Sequence, residues 1–121
     1  GFARTAAAIY SLQVCGLYDD AMVRQGSEYL VKNFQRNDQW FTYGNFYAAP
    51  AQYMIGGETW SKWYAQIKEI LLKNVSSLGG ERYYWEPKLD SGSGGVGPVY
   101  STAVYTMILA MPYHYIPLYQ R

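Results

Sequence analysis

The chain has 121 residues, half of them hydrophobic and 16% charged, which excludes an intrinsically disordered chain and sets an upper bound of one domain with a modest core. A formal charge of +1, with no Lys/Arg run and no acidic tail, excludes a nucleic-acid surface built on phosphate attraction. One cysteine, Cys15, leaves no intrachain disulfide and no thiolate metal cluster, and inside an apolar helix it reads as a small core residue.

Tyrosine is the compositional outlier, with 14 copies beside 4 Trp. Such rings serve either as half-buried filler whose hydroxyls reach water or as a stacking surface for sugars, prenyl chains or peptides. No secretory leader is legible, and Gly1 reads as the start of a piece of a longer chain.

The first segment, about Ala3 to Leu17, is apolar almost all round, with Arg4 its one charge. Gly16 stops it, and Asp19-Asp20 supply an N-cap and first-turn acid for the next helix. So short a joint predicts an antiparallel helical hairpin. The second segment, Asp20 to about Phe34, places Met22/Val23, Gly26, Tyr29/Leu30 and Phe34 on one stripe. Gly26 costs helix propensity of about 1 kcal/mol, so it marks a close helix approach.

A polar and aromatic turn, Arg36 to Asn45, leads to the uncharged third segment, Phe46 to Ile55. Pro50 predicts a late helix start near Ala49 or a bend. After Gly56-Gly57, Thr59 caps a fourth segment, Trp60 to Asn74. There Trp60, Trp63, Tyr64, Ile67, Ile70 and Leu71 line one face, with Glu69 and Lys73 paired on the other.

Val75 to Pro98 reads as a long Gly-rich loop in which Tyr83-Tyr84-Trp85 can pair briefly as an extended piece. The fifth segment, Tyr100 to Met111, has no charge and no preferred face. It is too short for a bilayer, which needs roughly 20 apolar residues, so it reads as a helix buried on most of its circumference. Pro112 ends it, and the tail from Tyr113 to Arg121 is expected to run extended, docking Ile116, Leu118 and Tyr119 on the body.

The order is buried, amphipathic, buried, amphipathic, buried, with buried segments starting near Arg4, Tyr47 and Tyr100. That alternation predicts an all-α chain of about five helices in stacked antiparallel hairpins. The pattern resembles the α/α toroid of terpenoid cyclases and protein prenyltransferase β-subunits, in which inner and outer helices are concentric. Gly26, Tyr29, Leu30 and Trp40 fall at matching positions of the cyclase QW repeat, while Gln25, Phe34 and Asp38 depart from it. A fainter copy has Ile70, Leu71 and Gly79 in place but Glu81 where Trp belongs. The ending, Ser101-Thr102-Ala103 running into Pro112 to Pro117, resembles the C-terminal part of bacterial prenyltransferase/squalene-oxidase-repeat proteins.

The resemblance implies that the first, third and fifth segments are inner helices and the second and fourth outer. It further implies an arc of a toroid whose open edges are covered by further hairpins of a parent chain or by self-association. The cyclase Asp-x-Asp-Asp run and the prenyltransferase zinc motif are both missing, so fold is implied and activity is not. No cofactor or metal is expected, and His114 and Cys15 lack the surroundings of zinc ligands.

Gly92 to Gly97 spells G-x-G-x-x-G, but without a βαβ unit it reads as a loop rather than a dinucleotide site. Asp38, Glu81, Glu86 and Asp90 lie near Trp40 and Trp85. They are either solvated loop acids or, with a raised pKa, a general acid for sugar chemistry. Trp40, Tyr43, Tyr47, Tyr53, Tyr83, Tyr84, Trp85, Tyr100 and Tyr105 gather on and before the inner segments as a candidate ligand groove. The expected function is a non-catalytic scaffold or binding module for a glycan, lipid or peptide. The alternative is part of an isoprenoid- or polysaccharide-active enzyme whose catalytic residues lie mostly elsewhere.

Overall fold

The computed structural model describes residues 1–36, 39–91 and 96–114. Five α-helices dominate: α1 (Phe2–Val14), α2 (Ala21–Lys32), α3 (Phe41–Ile55), α4 (Gly57–Lys73) and α5 (Pro98–Ala110). Short 3₁₀ turns, Phe34–Arg36 and Met111–Tyr113, follow α2 and α5. A small antiparallel hairpin, β1 (Ser76–Gly79) and β2 (Arg82–Tyr84), stands between α4 and α5.

The α1–α2 joint forms as its residues dictate. Gly16 takes a left-handed φ of 89°, and the Asp20 carboxylate accepts a hydrogen bond from Met22 N at 2.7 Å, capping α2. Gly26 lies against α1, where a Cβ would stand 2.3 Å from Ile9 Cγ2. Ile9 is buried and its β-branched side chain is stiff in a helix, so it cannot swing aside freely. Gly26→Ala is therefore expected to cost about 1–2 kcal/mol, because overpacking outweighs the gain in helix propensity. A chemical denaturation midpoint equal to or above the parent's would contradict this close approach.

The α2 stripe is corrected at two places. Met22 and Tyr29 are exposed, whereas Ser27 is buried, its hydroxyl donating to Gln52 Oε1 of α3 at 2.6 Å. A buried hydrogen-bonded serine is invisible to a pattern that counts only apolar side chains. Cys15 is also corrected: it is exposed at the end of α1, not part of the core.

α3 is the centre of the packing. It begins at Phe41, five residues before the start expected from its composition, and runs unbroken through Pro50 to Ile55. Pro50 leaves the Phe46 carbonyl without its usual i+4 donor, yet full burial among other helices holds the helix together. Tyr10 meets Tyr47 with ring centroids 5.9 Å apart, and Gln13 Nε2 donates to the Ala51 carbonyl at 3.0 Å, so α1 and α3 run in the same direction. Phe41 meets Tyr105 and Tyr53 reaches His114, so α5 runs the same way again. Helices α2 and α4 return in the opposite direction, α4 following α3 after Gly56 alone.

α4 begins at Gly57, three residues before the expected start, with Gly56 rather than Thr59 at its cap. Its expected face is otherwise in place: Trp63, Ile67 and Leu71 are buried, and Trp60, Tyr64 and Ile70 pack against the core. Glu69–Lys73 at 2.6 Å and Glu58–Lys62 at 2.7 Å form on the wet face. Each lysine holds its glutamate below the usual carboxylate range, and full exposure makes both pairs minor contributors to stability.

The expected long loop is shorter and more ordered than its composition suggests. Ser76 pairs with Tyr84 and Ser77 with Tyr83, and an irregularity in the pairing sets Leu78 aside as an extra residue. Gly80 and Glu81 both take φ of 59°, as a two-residue hairpin turn with the twist of its strands requires. Pro98 is the first residue of α5 rather than the last of the loop, as suits a first-turn proline. α5 ends at Ala110, just before Pro112, and Tyr113 belongs to a 3₁₀ turn with Pro112 rather than to an extended tail. Asp38, the glycines at 92, 94 and 95, and the tail from residue 115 onward lie outside the described residues.

Candidate functional site

The N-terminal end of α3 is built by a residue far away in sequence. Asp90, buried at 8% exposure, accepts from Thr42 N at 2.9 Å through Oδ1 and from the Thr42 hydroxyl through Oδ2. Thr42 has one hydroxyl proton and gives it to the carboxylate, so the Tyr105 hydroxyl, 2.5 Å away, donates to Thr42 Oγ1. A carboxylate at a helix N-terminus is stabilised by the unpaired N–H groups and the helix dipole. Both oxygens of Asp90 are thus engaged, and the residue serves as a clamp between the segment before α5 and the start of α3. With both oxygens committed to Thr42, Asp90 has none to present to a substrate, which disfavours the general-acid role considered for it.

Trp85 is a second clamp. Its indole N–H donates to the Leu71 carbonyl at 2.7 Å, its backbone N–H donates to Thr102 Oγ1 at 3.0 Å, and its carbonyl accepts from Ser101 Oγ at 2.7 Å. Its ring meets Tyr105 edge to face at 5.9 Å. Trp85 and Tyr105, both proposed above as groove residues, are therefore buried inside the helical body. Tyr84 is half-buried and Tyr83 exposed on the β-hairpin.

Trp40, Tyr43, Tyr47 and Tyr100 do converge. Trp40 and Tyr43 stand 6.5 Å apart between centroids, Tyr43 and Tyr47 5.2 Å, and Tyr47 and Tyr10 5.9 Å. Tyr100 approaches from α5 closely enough that Asp90, Tyr43 and Tyr47 add to the effect of burial in raising its pKa. Burial first, then Tyr43 and Tyr10, raises Tyr47 as well. Tyr10 was missed in the sequence, where it sat in a segment read as apolar almost all round; no local signal marks it, because it meets Tyr47 only once α1 packs on α3.

Tyr53 belongs elsewhere, to a separate aromatic group at the opposite end of α3. It packs on Trp60 at 5.1 Å and its hydroxyl pairs with His114 Nδ1 at 3.0 Å. Trp60 stacks on Trp63 and Tyr64, and the Tyr64 hydroxyl donates to the Leu109 carbonyl. These rings join α3, α4 and the end of α5. A shallow groove of about 260 Å³ separates α2 from α4, lined by Ser27, Glu28, Val31, Lys32, Glu58, Thr59 and Lys62. Its mixed charges select no ligand.

Glu81 occupies the hairpin turn, remote in role from any cleft, and Asp38 lies outside the described residues. Among the described residues no group of three His, Cys, Asp or Glu side chains is placed to hold a metal ion. No described helix is long and apolar enough to cross a membrane.

The phenols give a pH dependence. Burial pushes the Tyr105 hydroxyl far above the usual range, and Tyr47, Tyr64 and Tyr100 are raised too. In the unfolded chain these groups release their protons near pH 10. The folded chain holds them longer, so their stabilisation is complete below about pH 10 and is lost as pH climbs above it. An absorbance titration of the 14 tyrosines should show a late fraction that ionises only with loss of circular dichroism. A single transition near pH 10 with the fold intact would refute the burial of Tyr105.

Compared with protein-family models, curated proteins and solved structures, the chain matches none.

Proposed function

We propose that the chain is a binding module of α/α-toroid type, non-catalytic as it stands, whose layer of parallel helices presents an aromatic groove to a glycan, lipid or peptide. The observation that carries this reading is the run Trp40, Tyr43, Tyr47, Tyr10, which crosses from α3 to α1 and leaves Trp40 51% and Tyr43 44% exposed. Solvent-facing aromatic rings held in a chain by one another are costly to leave wet and well suited to stacking on a ligand. The toroid part is supported by the common direction of α1, α3 and α5 with α2 and α4 returning beside them.

The uncharged edges of α5 (Val99, Ala103, Thr106) and α1 (Ala8, Ser11, Cys15) are exposed, against the expectation that both helices are covered nearly all round. In this reading they receive helices of the same kind, from a parent chain or a second copy. Light scattering is expected to show mass rising with concentration, and a strict monomer at high concentration would remove the second copy.

The groove is tested by titrating the chain with glycan, prenyl-lipid and peptide panels while following tryptophan fluorescence, with Tyr43→Ala as the control. Saturable binding lost in Tyr43→Ala is expected. Trp85→Ala is unsuitable as a control because it removes a core residue.

A further inference from the structure

We infer that the ligand class suited to this aromatic face is a neutral oligosaccharide; the inference rests on the binding-module reading above and narrows it. The first ground is charge. Helices α1, α3 and α5 together carry one charged side chain, Arg4, well over a turn before Tyr10. Asp90, whose charge reaches Tyr100, is buried with both oxygens committed to Thr42. Among the described residues the three helices therefore set no charged side chain beside these rings to pair with a phosphate, a uronate or a basic peptide, and an ionic ligand would lose hydration over them without compensation.

The second ground is the hydroxyls. Tyr10, Tyr43, Tyr47 and Tyr100 each carry a phenol, so the face is aromatic without being apolar. Tyr43 and Tyr47 share one hydrogen bond, and a hydrocarbon chain laid over them would strip water from the hydroxyl valences that this bond leaves and return no hydrogen bond. A pyranose ring meets both demands. Its C–H face stacks on an aromatic ring, and its equatorial hydroxyls donate to and accept from phenols at the ring edges. Phenols with raised pKa remain protonated at neutral pH and keep both functions.

The third ground is ring geometry. Successive planes are inclined by 70° (Trp40–Tyr43), 72° (Tyr43–Tyr47) and 52° (Tyr47–Tyr10). Of these inclined rings Trp40 and Tyr43 are the exposed ones, with centroids 6.5 Å apart, so the run offers two differently tilted rings to a ligand. They do not form the parallel-walled slot into which a polyproline segment inserts.

The test is calorimetric titration of the whole chain with short cello-, manno- and xylo-oligosaccharides, and in parallel with oligogalacturonate, farnesol and a proline-rich peptide. Saturable binding of at least one neutral oligosaccharide is expected. Tyr43→Ala should weaken it about tenfold, Tyr43→Phe less, and Tyr83→Ala on the remote hairpin not at all, with unchanged circular dichroism in all three. Saturable binding of only farnesol, the peptide or the anionic sugar, still lost in Tyr43→Ala, would overturn the sugar assignment and keep the groove. Binding of a neutral sugar that Tyr43→Ala leaves unchanged would overturn the assignment of this face. No saturable binding of any of the probes would overturn both.

Discussion

Trp85→Ala is expected to destabilise the fold by about 3–5 kcal/mol, the range for removing a large buried aromatic side chain. Trp85 is 7% exposed and stands where α4, the β-hairpin and α5 meet. Deleting its ring opens a cavity beside Tyr105 and removes one of the two donors to the Leu71 carbonyl near the end of α4, leaving the Asn74 N–H as the other. The backbone bonds of residue 85 to Thr102 and Ser101 survive the change, so the loss reports the side chain itself. Trp85→Phe keeps most of the volume and loses the N–H, and should cost about 1–2 kcal/mol. Against a total stability of about 5–15 kcal/mol for a domain of this kind, the alanine variant approaches unfolding. Urea denaturation measures both variants. A loss under about 1 kcal/mol for Trp85→Ala would mean that the hairpin is not docked.

Asp90→Ala should cost about 2–4 kcal/mol, because it strands a buried N–H at the start of α3 and leaves the Thr42 and Tyr105 hydroxyls with one acceptor between their two protons. Thr42→Val removes only the hydroxyl and should cost about 1–2 kcal/mol, while leaving Tyr105 without a partner for its proton. The two side chains act as one unit, so the double variant should lose less than the sum of the singles. Additive losses would show that Asp90 and Thr42 act independently. Asp90→Asn retains an oxygen for Thr42 N and should fall between the parent and the alanine variant. If it instead abolished ligand binding with no loss of stability, the structural assignment of Asp90 would give way to a role at the face.

The start of α3 shows why part of the site was not legible in sequence. Residues 41–45 read as a turn because no local cap precedes them, and the carboxylate that completes the first turn comes from position 90. The same limit hid the burial of Trp85 and Tyr105. A tyrosine at a half-wet position and one fully enclosed have the same composition, and only neighbouring elements decide between them. Trp40, Tyr43, Tyr47 and Tyr100 were legible as an aromatic group because they gather just before and on the uncharged segments, whereas their helical spacing at 40, 43 and 47 emerged only once α3 was seen to start at Phe41.

The amino-acid sequence by itself determined the number of helices, the Asp20 cap and Gly16 stop, the close approach at Gly26, and the buried face of α4 through Trp63, Ile67 and Leu71. These follow from local chemistry and periodicity, which a single segment carries within itself. The tertiary structure alone decided that Asp90 completes α3, and that Tyr10 joins the aromatic face while Trp85 leaves it. Those outcomes depend on pairs of residues up to about half the chain apart, such as Thr42 and Asp90. Such pairs lower the free energy only after the segments have met, so no local pattern records them.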